Sequence, residues 1–182
     1  MENNSSSIEL ELAWLLKRLP KNIASYPSDE LYQGYLFTND PKIHNTRLRR
    51  KGEAYTKTVK YSVGDPAETG YNNEDTVRLP KHEFEKDFAR ASQKIHKTRY
   101  YMPISPLLTA EIDLYHDNLE GLAVVEVEFP TLEACRDFKK PSWFGKEVTD
   151  SPGIYPPHIA DLSLADVHSI NKIYRQKPHR FT

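Results

Sequence analysis

Residues 109–129 read TAEIDLYHDNLEGLAVVEVEF, and this stretch decides the fold because two runs within it alternate polar and apolar side chains. In the first run the acidic residues are Glu111 and Asp113, and in the second they are Glu126 and Glu128. Successive side chains of a β-strand point to opposite faces of the sheet. Each run therefore predicts a strand that carries two acids on one face and apolar side chains on the other.

The same alternation recurs along the chain and predicts a protein built mainly of strands. The predicted strands are 8–14, 32–38, 45–51, 54–61, 81–86, 97–103, 109–115 and 122–129. Gly52–Glu53 is a tight connection and predicts a hairpin. Helices are predicted over 86–95, over 131–138 and after the capping-box pattern of Ser163 and Asp166. Many strands with few helices favour a mainly β (α+β) fold, an eight-stranded antiparallel sheet closed into a barrel with helices packed outside.

The composition bounds the class of protein. The chain has 182 residues, of which 38% are hydrophobic and 28% charged, as expected for one globular domain spanning residues 1–182. Residues 159–182 are predicted to be a C-terminal helical extension. No apolar run approaches the roughly 20 residues of a membrane helix, and the single cysteine, Cys135, allows no internal disulfide. We therefore expect a cytoplasmic protein with no membrane partner. A net charge of −1 lacks the basic excess typical of a nucleic-acid binder.

Charges of like sign are segregated onto separate predicted strands. The acidic pairs are Glu9 and Glu11, Glu83 and Glu85, Glu111 and Asp113, and Glu126 and Glu128; the basic residues are Arg47, Arg49, Lys60, Lys81, Lys97 and Arg99. Any one pair fits the solvent face of a half-buried strand. Segregation favours another interpretation, in which these faces line a lumen and meet a charged ligand. Carboxylates suit Mg²⁺ or Mn²⁺, and Arg and Lys suit phosphate oxygens, so the pattern indicates a polyanionic phosphate that carries a metal.

Motifs in the same order resemble those of the CYTH superfamily, the triphosphate tunnel metalloenzymes, over about residues 8–155. The matching segments are Glu9–Glu11, Gln33–Leu36, Arg47–Arg49, Thr58–Lys60, Lys81–Glu85, Lys97–Tyr100, Glu111–Asp113, Val125–Glu128 and Trp143–Thr149. The subgroup that the chain resembles is that of the short bacterial proteins similar to inorganic triphosphatases. The resemblance implies an eight-stranded antiparallel tunnel, often in a homodimer, with a triphosphate-containing small molecule as ligand.

Roles follow from the resemblance and the charge pattern together. The preferred metal ligands, which also carry catalysis, are Glu9, Glu11, Glu126 and Glu128. The second choices are Glu83, Glu85, Glu111 and Asp113, since some acids must pair with basic residues instead. The residues predicted to bind triphosphate are Arg47, Arg49, Lys60, Lys81, Lys97 and Arg99. Trp143 and Phe144 are predicted to pack, and His116 is interpreted as a surface residue without ligand spacing.

The implied activity is metal-dependent hydrolysis of triphosphate, with inorganic tripolyphosphate preferred over nucleoside triphosphates. Alternatives are ATP cyclisation as in class IV adenylyl cyclases, thiamine triphosphate hydrolysis, and non-catalytic binding of polyphosphate or nucleotide. Two departures from the family pattern motivate the last of these. Ala13 stands where the family has Lys, and Pro156, Pro157 and His158 stand where it has a Lys or Asn cluster.

Overall fold

The computed structural model describes residues 10–40, 43–62, 72–149, 151, 154 and 156–173. The strands in these residues are β1 Leu10–Leu16, β2 Ser28–Leu36, β3 Ile43–Lys51, β4 Ala54–Ser62, β5 Asn72–Arg78, β6 Gln93–Pro103, β7 Thr109–Tyr115, β8 Ala123–Phe129 and β9 Phe144–Glu147. The helices are α1 Lys81–Arg90, α2 Leu132–Asp137, α3 Pro156–Ile159 and α4 Leu164–Ile173. The prediction of a mainly β fold with antiparallel pairing is confirmed.

The described residues form two compact units, a first unit of residues 32–94 and a second unit of residues 10–31 and 95–173. Hydrogen-bonded neighbours follow the order β5-β4-β3-β2 in the first unit and β2-β6-β7-β8-β1-β9 in the second. The order has two ends, β5 and β9, so hydrogen bonding between the described strands does not close the predicted barrel. The described strands also number nine, where the sequence predicts eight.

In the first unit, β3 and β4 form the predicted hairpin. Lys51 pairs with Ala54, and Gly52 takes a positive φ of 56°, a conformation that glycine adopts at little cost. One face of this hairpin is apolar and packs under α1, where Leu48 and Tyr55 contact Phe84. The other face is polar and carries the predicted phosphate-binding residues of this hairpin.

The predicted strand over 81–86 is wrong, because these residues form the first turns of α1. The alternation of Phe84 with charged neighbours suggested a strand, whereas Phe84 and Phe88 are spaced by one helical turn and stack at 5.1 Å between ring centroids. Pro80 precedes the helix, and the predicted helix over 86–95 is displaced accordingly.

The second unit buries the apolar faces of β1, β7 and β8 in one core. Trp14, Ile112 and Val125 lie in it. Phe144 on β9 packs on Trp14, with ring centroids 4.9 Å apart, and Trp143 lies against the same cluster. The prediction that Trp143 and Phe144 serve packing is confirmed.

The chain's last described helix, α4, follows the predicted capping box. Ser163 Oγ accepts from the backbone N–H of Asp166 at 3.3 Å, and the Asp166 carboxylate accepts from the backbone N–H of Ser163 at 2.8 Å. Val167 is buried, and Asn171 Nδ2 donates to the carbonyl of Gly121 at 3.0 Å. In the described part of the chain, no helix combines the length and the apolar character needed to cross a bilayer.

Candidate active site

Carboxylates from three adjacent strands gather on one face of the second unit. In the register of β1, β8 and β7, Glu11 lies opposite Glu128, and Glu126 lies opposite Glu111. Because side chains alternate along each strand, these acids share the face opposite the apolar core. The structure thus brings together Glu11, Glu126 and Glu128, three of the four preferred metal ligands. Glu9 lies outside the described residues.

These four carboxylates line one cavity of about 310 Å³, which we call the acid cavity. Its other walls come from Leu107, Thr109, Phe129 and Pro130. Glu11 and Glu128 are exposed, whereas Glu126 and Glu111 are partly buried. Carboxylate oxygens are the donors that Mg²⁺ and Mn²⁺ prefer, so this donor set fits a hard divalent ion.

A buried ion cluster on β6 and β7 borders the acid cavity. Arg99 Nε and Nη2 donate to the two carboxylate oxygens of Asp113, each at 2.6 Å. Lys97 pairs with the same carboxylate. Arg99 also pairs with Glu111 and Glu126, so it joins the buried cluster to two acids of the cavity.

Burial and charge pull the pKa values of this cluster in opposite directions. Burial acts to raise the pKa of Asp113, but the Arg99 and Lys97 cations outweigh it and hold that pKa below its ordinary value. Burial and the charge of Arg99 lower the pKa of Lys97. For Glu111, burial raises the pKa, and the Arg99 cation offsets only part of the rise. Asp113 is therefore the fixed anion of the cluster, and Glu111 is the acid whose charge the site tolerates least.

This arrangement separates the two acids of β7 by role. Asp113 is fully buried and paired to two cations, so its oxygens are not presented to the acid cavity. Glu111 lines the cavity. The sequence-based expectation that some of the second-choice acids pair with basic residues matches this geometry.

Ala13 occupies the position at which the family carries Lys. It lies on β1 opposite Glu126, and its backbone N–H donates to Thr149 Oγ1 at 3.1 Å. Its carbonyl accepts from the backbone N–H of Val148 at 2.8 Å. The Trp143–Thr149 segment therefore packs along β1, while Arg99 is the cation beside Glu126.

The polar face of the first unit carries the predicted phosphate-binding residues of β3 and β4. Arg47 lies opposite Thr58, Arg49 opposite Thr56, and Lys60 opposite Asn45. Gln33 accepts from Arg49 Nη2 at 3.4 Å. Among the described residues, Arg47 Nε is a buried donor without a hydrogen-bond partner. An orphan guanidinium donor of this kind fits an anionic ligand such as phosphate.

Lys81, Glu83 and Glu85 lie elsewhere, on the exposed side of α1. Lys81 and Glu85 are 3.9 Å apart and both largely solvent-exposed. On a helix, residues two apart point in different directions, so Glu83 does not share a face with Lys81 or Glu85 as the predicted strand required. The structural basis of their predicted roles is lost.

Two groups of polar residues escaped the sequence reasoning. Glu74 on β5 pairs with Lys60, and β5 is not among the predicted strands. Glu30, His96 and His116 form a cluster in the second unit, contrary to the interpretation of His116 as a surface residue without ligand spacing. These three come from β2, from β6 and from the residue directly after β7, and spacing along the chain cannot show that they lie close together.

No protein-family model matches the chain. An inorganic triphosphatase of Nitrosomonas europaea is 34% identical over 134 residues, which cover 70% of this chain and 85% of that relative. The chain belongs to the inorganic triphosphatase family. An inorganic triphosphatase of Acetivibrio thermocellus is 32% identical over 122 residues, covering 66% of this chain and 72% of the relative. The resemblance to the short bacterial inorganic triphosphatases is thereby confirmed.

Solved structures agree with this membership. A crystal structure of an inorganic triphosphatase matches with a TM-score of 0.65 at 28% identity, covering 85% of this chain and 95% of that chain. A candidate adenylate cyclase from Bacillus halodurans matches with a TM-score of 0.52 at 14% identity, covering 96% of this chain and 95% of that chain. At 14% identity, the likeness to the candidate adenylate cyclase shows the fold alone.

Proposed function

We propose that this protein hydrolyses inorganic tripolyphosphate in a reaction that depends on Mg²⁺ or Mn²⁺. The observation that carries the proposal is the acid cavity, where carboxylates of β1, β7 and β8 meet beside the buried pair of Arg99 and Asp113. The inorganic triphosphatase relatives support the same reaction class. Nucleoside triphosphates are proposed as poorer substrates.

Glu11, Glu126 and Glu128 would hold the divalent ion, and Glu111 lines the same cavity. Glu9, two residues before Glu11 in the sequence, is proposed as a further ligand. When bound, such an ion neutralises charge on phosphate oxygens and favours attack by water on the terminal phosphorus. Hydrolysis then breaks the bridging P–O bond and gives phosphate and pyrophosphate.

The chain's own residues supply the rest of the proposed site. Asp113 fixes Arg99, and Arg99 in turn holds the carboxylates of Glu111 and Glu126 in place. This makes Arg99 a positioning residue and leaves Lys97 to balance the buried charge. Arg47, Arg49 and Lys60 lie on the first unit and stay predicted phosphate-binding residues, Arg as a planar fork and Lys as a point charge. The closed tunnel, the homodimer and the cytoplasmic location stay predictions.

The test measures phosphate release from tripolyphosphate, ATP and thiamine triphosphate by the purified protein with Mg²⁺, with Mn²⁺ and with excess chelator. We expect rapid release from tripolyphosphate, slower release from the other two, and none with chelator. Cyclic AMP as the product from ATP would favour the cyclase reaction instead. Metal-dependent tripolyphosphate binding without turnover would replace the enzymatic proposal with a binding module.

A further inference from the structure

A second group of metal-ligand side chains lies apart from the residues that line the acid cavity. Glu30 comes from β2, His96 from β6 and His116 from the residue directly after β7. One ligand atom from each of these three residues lies within 4.8 Å of the other two. We call this group the histidine cluster. Its residues are exposed or half-buried, so an ion from solvent can reach them.

Each ring of the cluster has a partner that orients it. Asp117 Oδ2 lies 3.2 Å from His96 Nδ1, and Thr98 Oγ1 lies 2.7 Å from His116 Nε2. Metal-bound histidines usually have their second ring nitrogen held by a carboxylate, a carbonyl or a hydroxyl in this way. The Asp117 contact leaves His96 Nε2 directed at the Glu30 carboxylate.

The contacts of His96 with two carboxylates fit a cation at this position. A neutral imidazole has one N–H, yet both ring nitrogens of His96 contact carboxylate oxygens, one of Asp117 and one of Glu30. One of these contacts would set a nitrogen lone pair against a carboxylate unless a cation lies there. A metal ion bound to His96 Nε2 and Glu30 would remove this conflict.

We propose that the histidine cluster binds one divalent transition-metal ion of the zinc class through Glu30, His96 Nε2 and His116. Two imidazole nitrogens and one carboxylate oxygen are a common zinc ligand set, with solvent in the fourth position. Imidazole nitrogen favours Zn²⁺, Ni²⁺ or Co²⁺ over Mg²⁺, which prefers oxygen ligands only. The cluster and the acid cavity therefore select different ions. Because the ligands come from β2, from β6 and from the residue directly after β7, the ion would tie these three segments together.

The test titrates Zn²⁺ and Co²⁺ into the metal-stripped, tag-free protein, followed by calorimetry, native mass spectrometry and the visible absorption of Co²⁺. We expect one bound ion per chain, a higher Tm with Zn²⁺, and no displacement by millimolar Mg²⁺. His96→Gln combined with His116→Gln should abolish binding at this site. His82→Gln, an exposed histidine on α1, is the matched control and should bind as the wild type does.

A second variant keeps the test decisive if the double substitution does not fold. Asp117→Asn leaves all three ligands in place and should weaken Zn²⁺ binding about 10- to 100-fold. Equal Zn²⁺ affinity in the wild type and the double variant would overturn the proposal. So would a wild-type Tm that Zn²⁺ leaves unchanged. Glu11→Gln with Glu128→Gln should retain the Zn²⁺ site whether or not the triphosphatase reaction is correct.

Discussion

Arg99 and Asp113 form a two-point ion pair in the interior of the second unit, with both N···O distances at 2.6 Å. Asp113 is 0% exposed and also pairs with Lys97. A buried carboxylate of this kind costs free energy to desolvate, and it is stable because two cations face it. The stability of the second unit and the positions of the Glu111 and Glu126 carboxylates therefore both depend on this ion pair.

Asp113→Asn should lower the free energy of unfolding by about 3–5 kcal/mol, because it removes the carboxylate that faces both buried cations and leaves Arg99 with only Glu111 and Glu126. Urea unfolding measures the loss. The matched control is Asp87→Asn, which removes a partly exposed partner of Lys57 at 3.5 Å and should cost less than about 1 kcal/mol. Similar losses of unfolding free energy in both variants would show that the buried ion pairs of Asp113 stabilise the protein no more than an exposed ion pair does.

Glu11→Gln combined with Glu128→Gln should reduce kcat/KM for tripolyphosphate more than about 100-fold, because loss of even an outer-sphere partner of a metal site commonly costs 10- to 100-fold. The amides keep the size of the side chains, so Tm should change little. Activity is measured across a Mg²⁺ titration to separate lost metal affinity from lost turnover.

The control for the acid cavity is Glu83→Gln combined with Glu85→Gln on the exposed side of α1. Both double variants remove two carboxylates, yet only the first pair lines the cavity. We expect wild-type kinetics from the control. A large loss of activity in the control alone would place the metal on α1 and contradict the proposed site.

Arg47→Ala should raise KM for tripolyphosphate about 10- to 100-fold, since a hydrogen bond to a charged group contributes about 1.5–3 kcal/mol. The reason is the buried Arg47 Nε, which has no hydrogen-bond partner in the described part of the chain. Arg47→Lys keeps the charge and should recover part of the affinity. Lys57→Ala, on the opposite face of β4, should leave KM unchanged; an equal rise there would indicate a general charge effect.

The sequence predicts the strands around the acid cavity well, and for a physical reason. In β7 and β8, acidic residues alternate with buried apolar residues such as Ile112 and Val125, so the amino-acid sequence itself shows the two-residue period of a strand. In β5 the only residues that favour a strand are Thr76 and Val77, and the Val77 side chain is 54% exposed. That strand is formed by pairing with β4 and not by burial of its own apolar face, so no periodicity marks it.

The candidate site is predicted in part for a related reason. Acids two apart on one strand are visible in the sequence, but the pairings of Glu11 with Glu128 and of Glu111 with Glu126 depend on register. Register between strands distant in the chain is set by packing of the whole sheet. The same limit hides the histidine cluster, whose ligands come from β2, from β6 and from the residue directly after β7.

Gly34→Ala should destabilise the first unit by about 1–3 kcal/mol through overpacking. A Cβ at position 34 would lie 2.9 Å from both Ala91 Cβ and Phe88 Cε2. Gly52→Ala is the comparison, because it meets no atom within 4 Å and suffers only from its φ of 56°. We expect about 1 kcal/mol there. Thermal or urea unfolding of the two variants distinguishes steric crowding from backbone strain.

Ser163→Ala should raise the pKa of Asp166, measured by NMR titration of its carboxyl carbon. The Ser163 hydroxyl and backbone N–H both donate to this carboxylate and hold its pKa below the ordinary value of 3.8. The folded pKa is the lower one, so the cap's stabilisation is full well above about pH 4 and is lost as pH falls through the folded pKa. Ser169→Ala, whose hydroxyl donates to the Ala165 carbonyl on the same helix, should leave the titration unchanged. An unaltered pKa of Asp166 in Ser163→Ala would mean that the capping box does not form in solution.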